Sequence, residues 1–192
     1  MNKNVNWGGV LSAKKNVWLL TGDPGSGKTT AVLKVVSIIK SKGFSVGGVV
    51  SREKTQKGVR VGFTLEDLSS GFTDTLASID QPLGPRMGKY RVNLRGLSDL
   101  AAQALLHAID SSDLIVCDEI GPMELFSPEF KRAVKQAVFS EKPMIGVIHK
   151  RLIDPLVDEI RRSTLVEIIE VSNQDLDKLA ITLADRIISE IK

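Results

Sequence analysis

Cysteine is nearly missing from this chain. Cys117 stands alone among 192 residues, so no internal disulfide can form, which fits a reducing cytoplasm. No apolar run reaches the roughly 18 residues that a membrane-crossing helix needs, so no membrane role is expected. The opening residues MNKNVNWGGVLSAKKN lack the apolar core of a secretion signal. A basic arm is absent, as is any basic stripe interleaved with aromatics, and the net charge is only +3. Binding to nucleic acid therefore has no support in the sequence. Internal repeats, low-complexity tracts and recognisable linkers are absent as well.

What is present is the composition of an ordinary soluble globule, 42% hydrophobic and 26% charged. A chain of this length buries about 70% of its unfolded surface and needs no covalent staple. Residues 1–15, which include Trp7, read as an N-terminal extension. Residues 16–192 read as one domain, with a β-rich insertion over 52–93. A monomer is the favoured state.

Unbroken apolar stretches predict buried strands at 16–21 (NVWLLT), 44–50 (FSVGGVV), 113–121 (DLIVCDEIG), 143–149 (PMIGVIH) and 164–171 (TLVEIIEV). Between them lie helical patterns. Val32, Val35, Val36 and Ile39 share one face, and Gly43 suits the residue after the helix. Ser98 is expected to cap a helix carrying Leu100, Ala101, Ala104, Leu105 and Ala108. Ser127 before Pro128 and Asp154 before Pro155 are cap-plus-proline starts. Asn173 is expected to cap the last helix. Over 52–93 the pattern alternates instead, through Val59, Val61, Phe63 and Leu65 and again through Tyr90, Val92 and Leu94, which predicts hairpins. Strands alternating with helices imply an α/β fold, a mostly parallel sheet with helices on both faces.

The stretch GDPGSGKTT at 22–30 matches G-x-x-x-x-G-K-[ST], the phosphate loop, and sits between a predicted strand and a predicted helix. Glycines let the backbone curl so that its N–H groups point inward, a nest for anions. The helix beginning near Lys28 adds the positive end of its dipole. Lys28 can reach the β- and γ-phosphates and the Thr29 hydroxyl can hold Mg²⁺. Gly22, Asp23, Pro24, Gly25, Ser26, Gly27, Lys28, Thr29 and Thr30 are the candidate nucleotide-binding residues.

Asp118 and Glu119 end an apolar strand. Neighbours on a strand point to opposite sides, so Asp118 can face the metal while Glu119 reaches the attacking water. That division of labour is what triphosphate hydrolysis requires. Thr29 and Asp118 are thus candidate metal ligands, and Glu119 and Lys28 candidate catalytic residues.

In order along the chain, GDPGSGKTT, VRVGF, GKYRVNLRGLSDLA, DEIGPMELFS and LVDEIRR resemble the small P-loop nucleoside-triphosphatases of the thermophilic NTPase, or cancer-related nucleoside-triphosphatase, type. The resemblance covers nearly everything from Val17 onward, and DEIGPMELFS is its most specific part. It implies a RecA-like sheet, Mg²⁺-dependent conversion of ATP, GTP and other NTPs to diphosphates, and loose base choice. It further implies that Glu119 is the catalytic base and that a strand, for which 143–149 is the candidate, lies between the phosphate-loop strand and the Asp-Glu strand. Family members begin almost at the first strand, whereas residues 1–15 precede it here.

Other residues carry weaker signals. His149 could sense the γ-phosphate from the tip of its strand. His107 reads as structural. An arginine often accelerates phosphoryl transfer, and Arg52, Arg60, Arg86, Arg151, Arg161 and Arg162 are candidates, the last two also explained by a helix C-terminus that favours cations. Met123, Leu125 and Phe126 read as packing, Glu124 as either an orienting group or a solvated carboxylate, and Cys117 as a buried strand residue. A nucleotide or small-molecule kinase shares the loop and is the alternative reading. A non-enzymatic nucleotide switch is the second alternative, although the Asn-Lys-x-Asp guanine-reading motif is absent.

Overall fold

Val17, Trp18, Leu19 and Leu20 are all buried, as expected of a strand covered on both faces. The computed structural model describes residues 15–172 and 175–191. Residues 1–14, with Trp7, lie outside the described residues. Among the described residues nine strands form one sheet in the order β5-β6-β4-β3-β2-β7-β8-β1-β9. β1 is Val17–Thr21, β2 Val46–Gln56, β7 Leu114–Ile120, β8 Met144–Ile148 and β9 Val166–Glu170. These five pair in parallel. The expected strand order is observed, with β8 between β1 and β7.

From β2 outward the sheet is antiparallel. β3 is Val59–Asp67, β4 Thr73–Ser78, β5 Arg86–Met87 and β6 Tyr90–Val92. β2 changes character midway. Its first five residues are buried, the last five exposed, because beyond Val50 it leaves β7 and pairs only with β3. The predicted strand ending at 50 therefore continues to Gln56.

Alternation along β1 sends its side chains to two cores. Trp18 and Leu20 pack with Val32, Val35 and Ile39 of α1 (Lys28–Ser41) and with Leu183 and Ile187 of α5 (Leu176–Ile188). Val17 and Leu19 face the other way, toward Leu105 of α2 (Ala102–Ser111), Val134 of α3 (Pro128–Val138) and Val157 of α4 (Pro155–Arg162). Each such side chain stabilises the fold by about 1.5–3 kcal/mol relative to exposure. Truncating Ile39, fully buried between sheet and helix, would cost about 2–5 kcal/mol.

Two helix starts form as predicted. Ser127 accepts a hydrogen bond from the Phe130 amide at 3.2 Å, and Asp154 one from the Leu156 amide at 2.9 Å. Two do not. Ser98 is no cap: its hydroxyl donates to the Arg95 carbonyl at 3.2 Å, because the chain has already wound into a π-helical turn over Gly96–Ala101 that buries Gly96 and Leu97. At the last helix Asp175 is the cap, accepting from the amides of Asp177 and Lys178. Asn173 lies outside the described residues. Among the described residues no helix is long and apolar enough to cross a membrane.

Candidate active site

The loop at 22–30 joins β1 to α1 at the C-terminal edge of the parallel strands, where ligands of open α/β sheets gather. Gly22 has φ of +146°, and a Cβ there would stand 2.5 Å from the Val171 carbonyl oxygen, so no larger residue fits. The Ser26 amide donates to the Asp23 carbonyl at 3.2 Å. Lys28 turns back into the curl, donating to the carbonyls of Gly22 at 3.1 Å and Asp23 at 2.8 Å. Gly27 stands at the cap position before α1, which has no side-chain cap and no acid in its first turn. Its first amides and its dipole are thus left for an anion.

The loop forms one side of a cleft of about 810 Å³. Glu119, residues 149–151, residues 51–53 and Phe63 also line it. Of the nine predicted loop residues, eight line this cleft. Ser26 does not, and its hydroxyl is buried without a hydrogen-bond partner.

Asp118 does not itself line the cleft and is 1% exposed. Burial pushes its pKa up to about 7, against a hydrogen bond from Thr29 that favours the anion; Glu119 pushes it further up, and the charges of Lys28 and Arg52 pull it down. Its Oδ2 is buried with no hydrogen-bond partner. Glu119, half-buried at the cleft wall, is also raised by burial, with His149 and Lys28 favouring its ionised form. Lys28 thus acts electrostatically on both carboxylates. The peptide bond between Asp118 and Glu119 is cis.

A third carboxylate stands behind them. Glu124 is 5% exposed, so it is not a solvated loop residue. Burial and then the Glu119 charge push its pKa up to about 8. A Cβ on Gly121 would lie 2.6 Å from Glu119 Oε1 and 2.7 Å from Glu124 Oε2, so the missing side chain leaves room for both carboxyl groups. Leu125 is buried and Met123 packs against the core, but Phe126 is exposed rather than packed. Cys117 is fully buried, and burial raises its thiol pKa well above the usual range.

His149 lines the cleft and its amide donates to the Ile120 carbonyl at 3.1 Å. His107 is an exposed residue of α2, away from the cleft. Of the six arginines, Arg52 and Arg151 line the cleft, while Arg60, Arg86, Arg161 and Arg162 do not. Arg52 is tied to Glu66 of β3 at 2.7 Å. Lys150 was not singled out by sequence, yet it lines the cleft between Glu170 at 2.6 Å and the loop's Asp23 at 3.6 Å. Its adjacency to His149 at a strand tip was the available signal.

Comparison with known proteins places this geometry among relatives. A family profile described as NTPase matches residues 17–184. The nucleoside-triphosphatase THEP1 of Thermofilum pendens is 46% identical over 139 residues, spanning 72% of this chain and 76% of that protein. The nucleoside-triphosphatase THEP1 of Methanosarcina barkeri is 43% identical over 157 residues, 81% of this chain and 89% of that one. Among solved structures, a human cancer-related nucleoside triphosphatase superposes with a TM-score of 0.77 at 34% identity, covering 93% of this chain and all of that one. THEP1 from Aquifex aeolicus does so with a TM-score of 0.74 at 28% identity over 92% and 99% of the two chains. A match that runs from the first strand of the sheet into the last helix, with the phosphate loop and the Asp118–Glu119 tip both inside it, makes this chain a member of the NTPase family.

Proposed function

We propose that this chain hydrolyses nucleoside triphosphates, ATP and GTP among them, to diphosphate and phosphate with Mg²⁺ and little regard for the base. The observation that carries the reading is the single cleft shared by Lys28, Thr29 and Glu119. Relatives named nucleoside-triphosphatase support it.

The curl of the loop and the first turn of α1 offer N–H groups to the β- and γ-phosphates. Lys28 now donates to two neutral carbonyls; an anionic phosphate oxygen in that place makes a stronger, charge-assisted bond. Leu33 and Phe63 add carbon surface to the cleft, and such surface reads no base edge, which supports loose specificity.

The residues present fit Mg²⁺. Asp118 keeps one buried oxygen without a protein partner, beside the Thr29 hydroxyl. Among the described residues no cluster of three His, Cys, Asp or Glu forms a protein-only cage. This suits an ion that retains water and phosphate ligands. Thr29 and Asp118 would hold it, and it would supply charge neutralisation on the phosphates.

Glu119 takes the proton of the attacking water. Burial raises its pKa and so makes it a stronger base than an ordinary carboxylate, while His149 and Lys28 favour its ionised form. The test is phosphate release from ATP, GTP and the matching diphosphates, with Mg²⁺ and with chelator. Steady multi-turnover release from triphosphates alone, abolished by chelator, is expected. Diphosphate formed only when an acceptor alcohol is added, with the phosphoryl group on that alcohol and no free phosphate, would contradict hydrolysis and indicate a kinase.

A further inference from the structure

Phosphoryl transfer spreads negative charge over the equatorial oxygens of the γ-phosphoryl group, and an arginine placed there accelerates it about 10³–10⁵-fold. Such a residue must face the cleft, hold a fixed position and have its guanidinium free. Arg60 is engaged by Glu53 and Tyr90. Arg161 is spent on three carbonyls, and Arg86 and Arg162 do not reach the cleft. Arg52 lines the cleft, but its charge is offset by Glu66. Arg151 also lines the cleft, and among the described residues no ion pair or hydrogen bond engages its guanidinium.

The backbone that carries Arg151 is fastened from three directions. Its own amide donates to His149 Nδ1 at 3.3 Å. Arg161 of α4 reaches back and donates to the carbonyls of His149, Lys150 and Leu152, each at 3.0 Å. The neighbouring Lys150 bridges to Asp23 of the phosphate loop and Glu170 of β9. A free cation on a pinned turn, beside the wall that carries Glu119, is the arrangement preorganised charge stabilisation needs.

We propose that Arg151 is the arginine, supplied by the chain itself, that stabilises the γ-phosphoryl group in the transition state, with Arg161 as the positioning residue that holds its turn. The proposal rests on the hydrolase reading. As water oxygen bonds to the γ-phosphorus, the bond from that phosphorus to the β–γ bridging oxygen breaks. Its electron pair leaves with the diphosphate, and a water proton passes to Glu119. Arg151 meets the charge on the three oxygens that remain on the transferring phosphorus.

The experiment compares the full chain with Arg151→Ala, Arg151→Lys, Arg161→Gln, the double variant and Arg86→Ala as a control. Phosphate release from ATP is read beside the affinities for a non-hydrolysable ATP analogue and for ADP with aluminium fluoride. Arg151→Ala should lower kcat about a thousand-fold. It should leave the ATP analogue bound within about threefold and forfeit the tighter binding of ADP–aluminium fluoride that the transition-state role demands. Guanidinium ion should restore part of its rate. Arg161→Gln should lower kcat without guanidinium rescue, and the double variant should be no slower than Arg151→Ala. A kcat within threefold of the parent, or a loss confined to affinity for the ATP analogue, overturns the assignment. A parent protein that releases no phosphate overturns the hydrolase reading itself, a result distinct from an active parent matched by an equally active variant.

Discussion

Glu119 and Glu124 each place a carboxyl oxygen beside Gly121, within 2.7 Å of the position a Cβ would occupy there. One of the two faces the cleft and the other faces the core. Two acids so close cannot both ionise freely, and the buried one resists ionisation most, its pKa raised to about 8.

This has a consequence for stability. The Glu124 pKa is raised in the fold above its ordinary value of 4.5, so the folded chain holds a proton that the unfolded chain has released. The contribution is full below about pH 4.5 and is lost as pH rises through the folded value near 8, by at most ~1.4 kcal/mol per pH unit. Glu124→Gln keeps the shape without the titration. Denaturant unfolding at pH 5, 7 and 9 should show the variant gaining on the parent as pH rises. Parallel curves would contradict the buried acid.

Asp118 puts stability and activity in opposition. Its carboxylate is buried with an unpartnered oxygen, an arrangement that costs free energy until a cation arrives. Asp118→Asn should therefore raise the melting temperature of the metal-free protein at pH 8, where the parent group is ionised above its value of about 7. It should also abolish the further stabilisation that Mg²⁺ with nucleotide confers. Thermal scans with and without Mg²⁺–ADP read both effects; an undiminished Mg²⁺ response in the variant would remove Asp118 from the metal site.

Lys28 is held inside the curl by two carbonyls. Lys28→Ala should weaken binding of a non-hydrolysable ATP analogue about tenfold to a hundredfold, the worth of one charged hydrogen bond of roughly 1.5–3 kcal/mol. Calorimetric titration measures it. An unchanged Kd would mean that the loop does not bind phosphate.

Much of this arrangement was legible in the sequence, for reasons that particular residues make plain. β1, β7 and β8 are buried on both faces and so appear as unbroken apolar runs. The phosphate loop is legible because its chemistry is local, a curl of nine consecutive residues. The expected pair of caps at Ser127 and Asp154 formed because each needs only the amides of the next turn. Where tertiary contacts decide, local pattern fails. Ser98 resembles a cap, but the burial of Gly96 and Leu97 starts the turn earlier. Glu124 is the one charged residue in the turn over 121–126, and a charge is expected at the surface; only the fold shows its carboxyl group in the core. The arginines are alike in sequence, and they separate only when the fold shows which guanidinium faces the cleft and which is already engaged.

The most direct test of the account is a single-turnover measurement on Glu119→Gln with Mg²⁺–ATP. If Glu119 takes the water proton, nucleotide affinity stays at the parent value while the rate of phosphate formation falls about a hundredfold to ten-thousandfold, the worth of a general base. Hydrolysis at the parent rate would show that the carboxylate at the cleft wall is not the base.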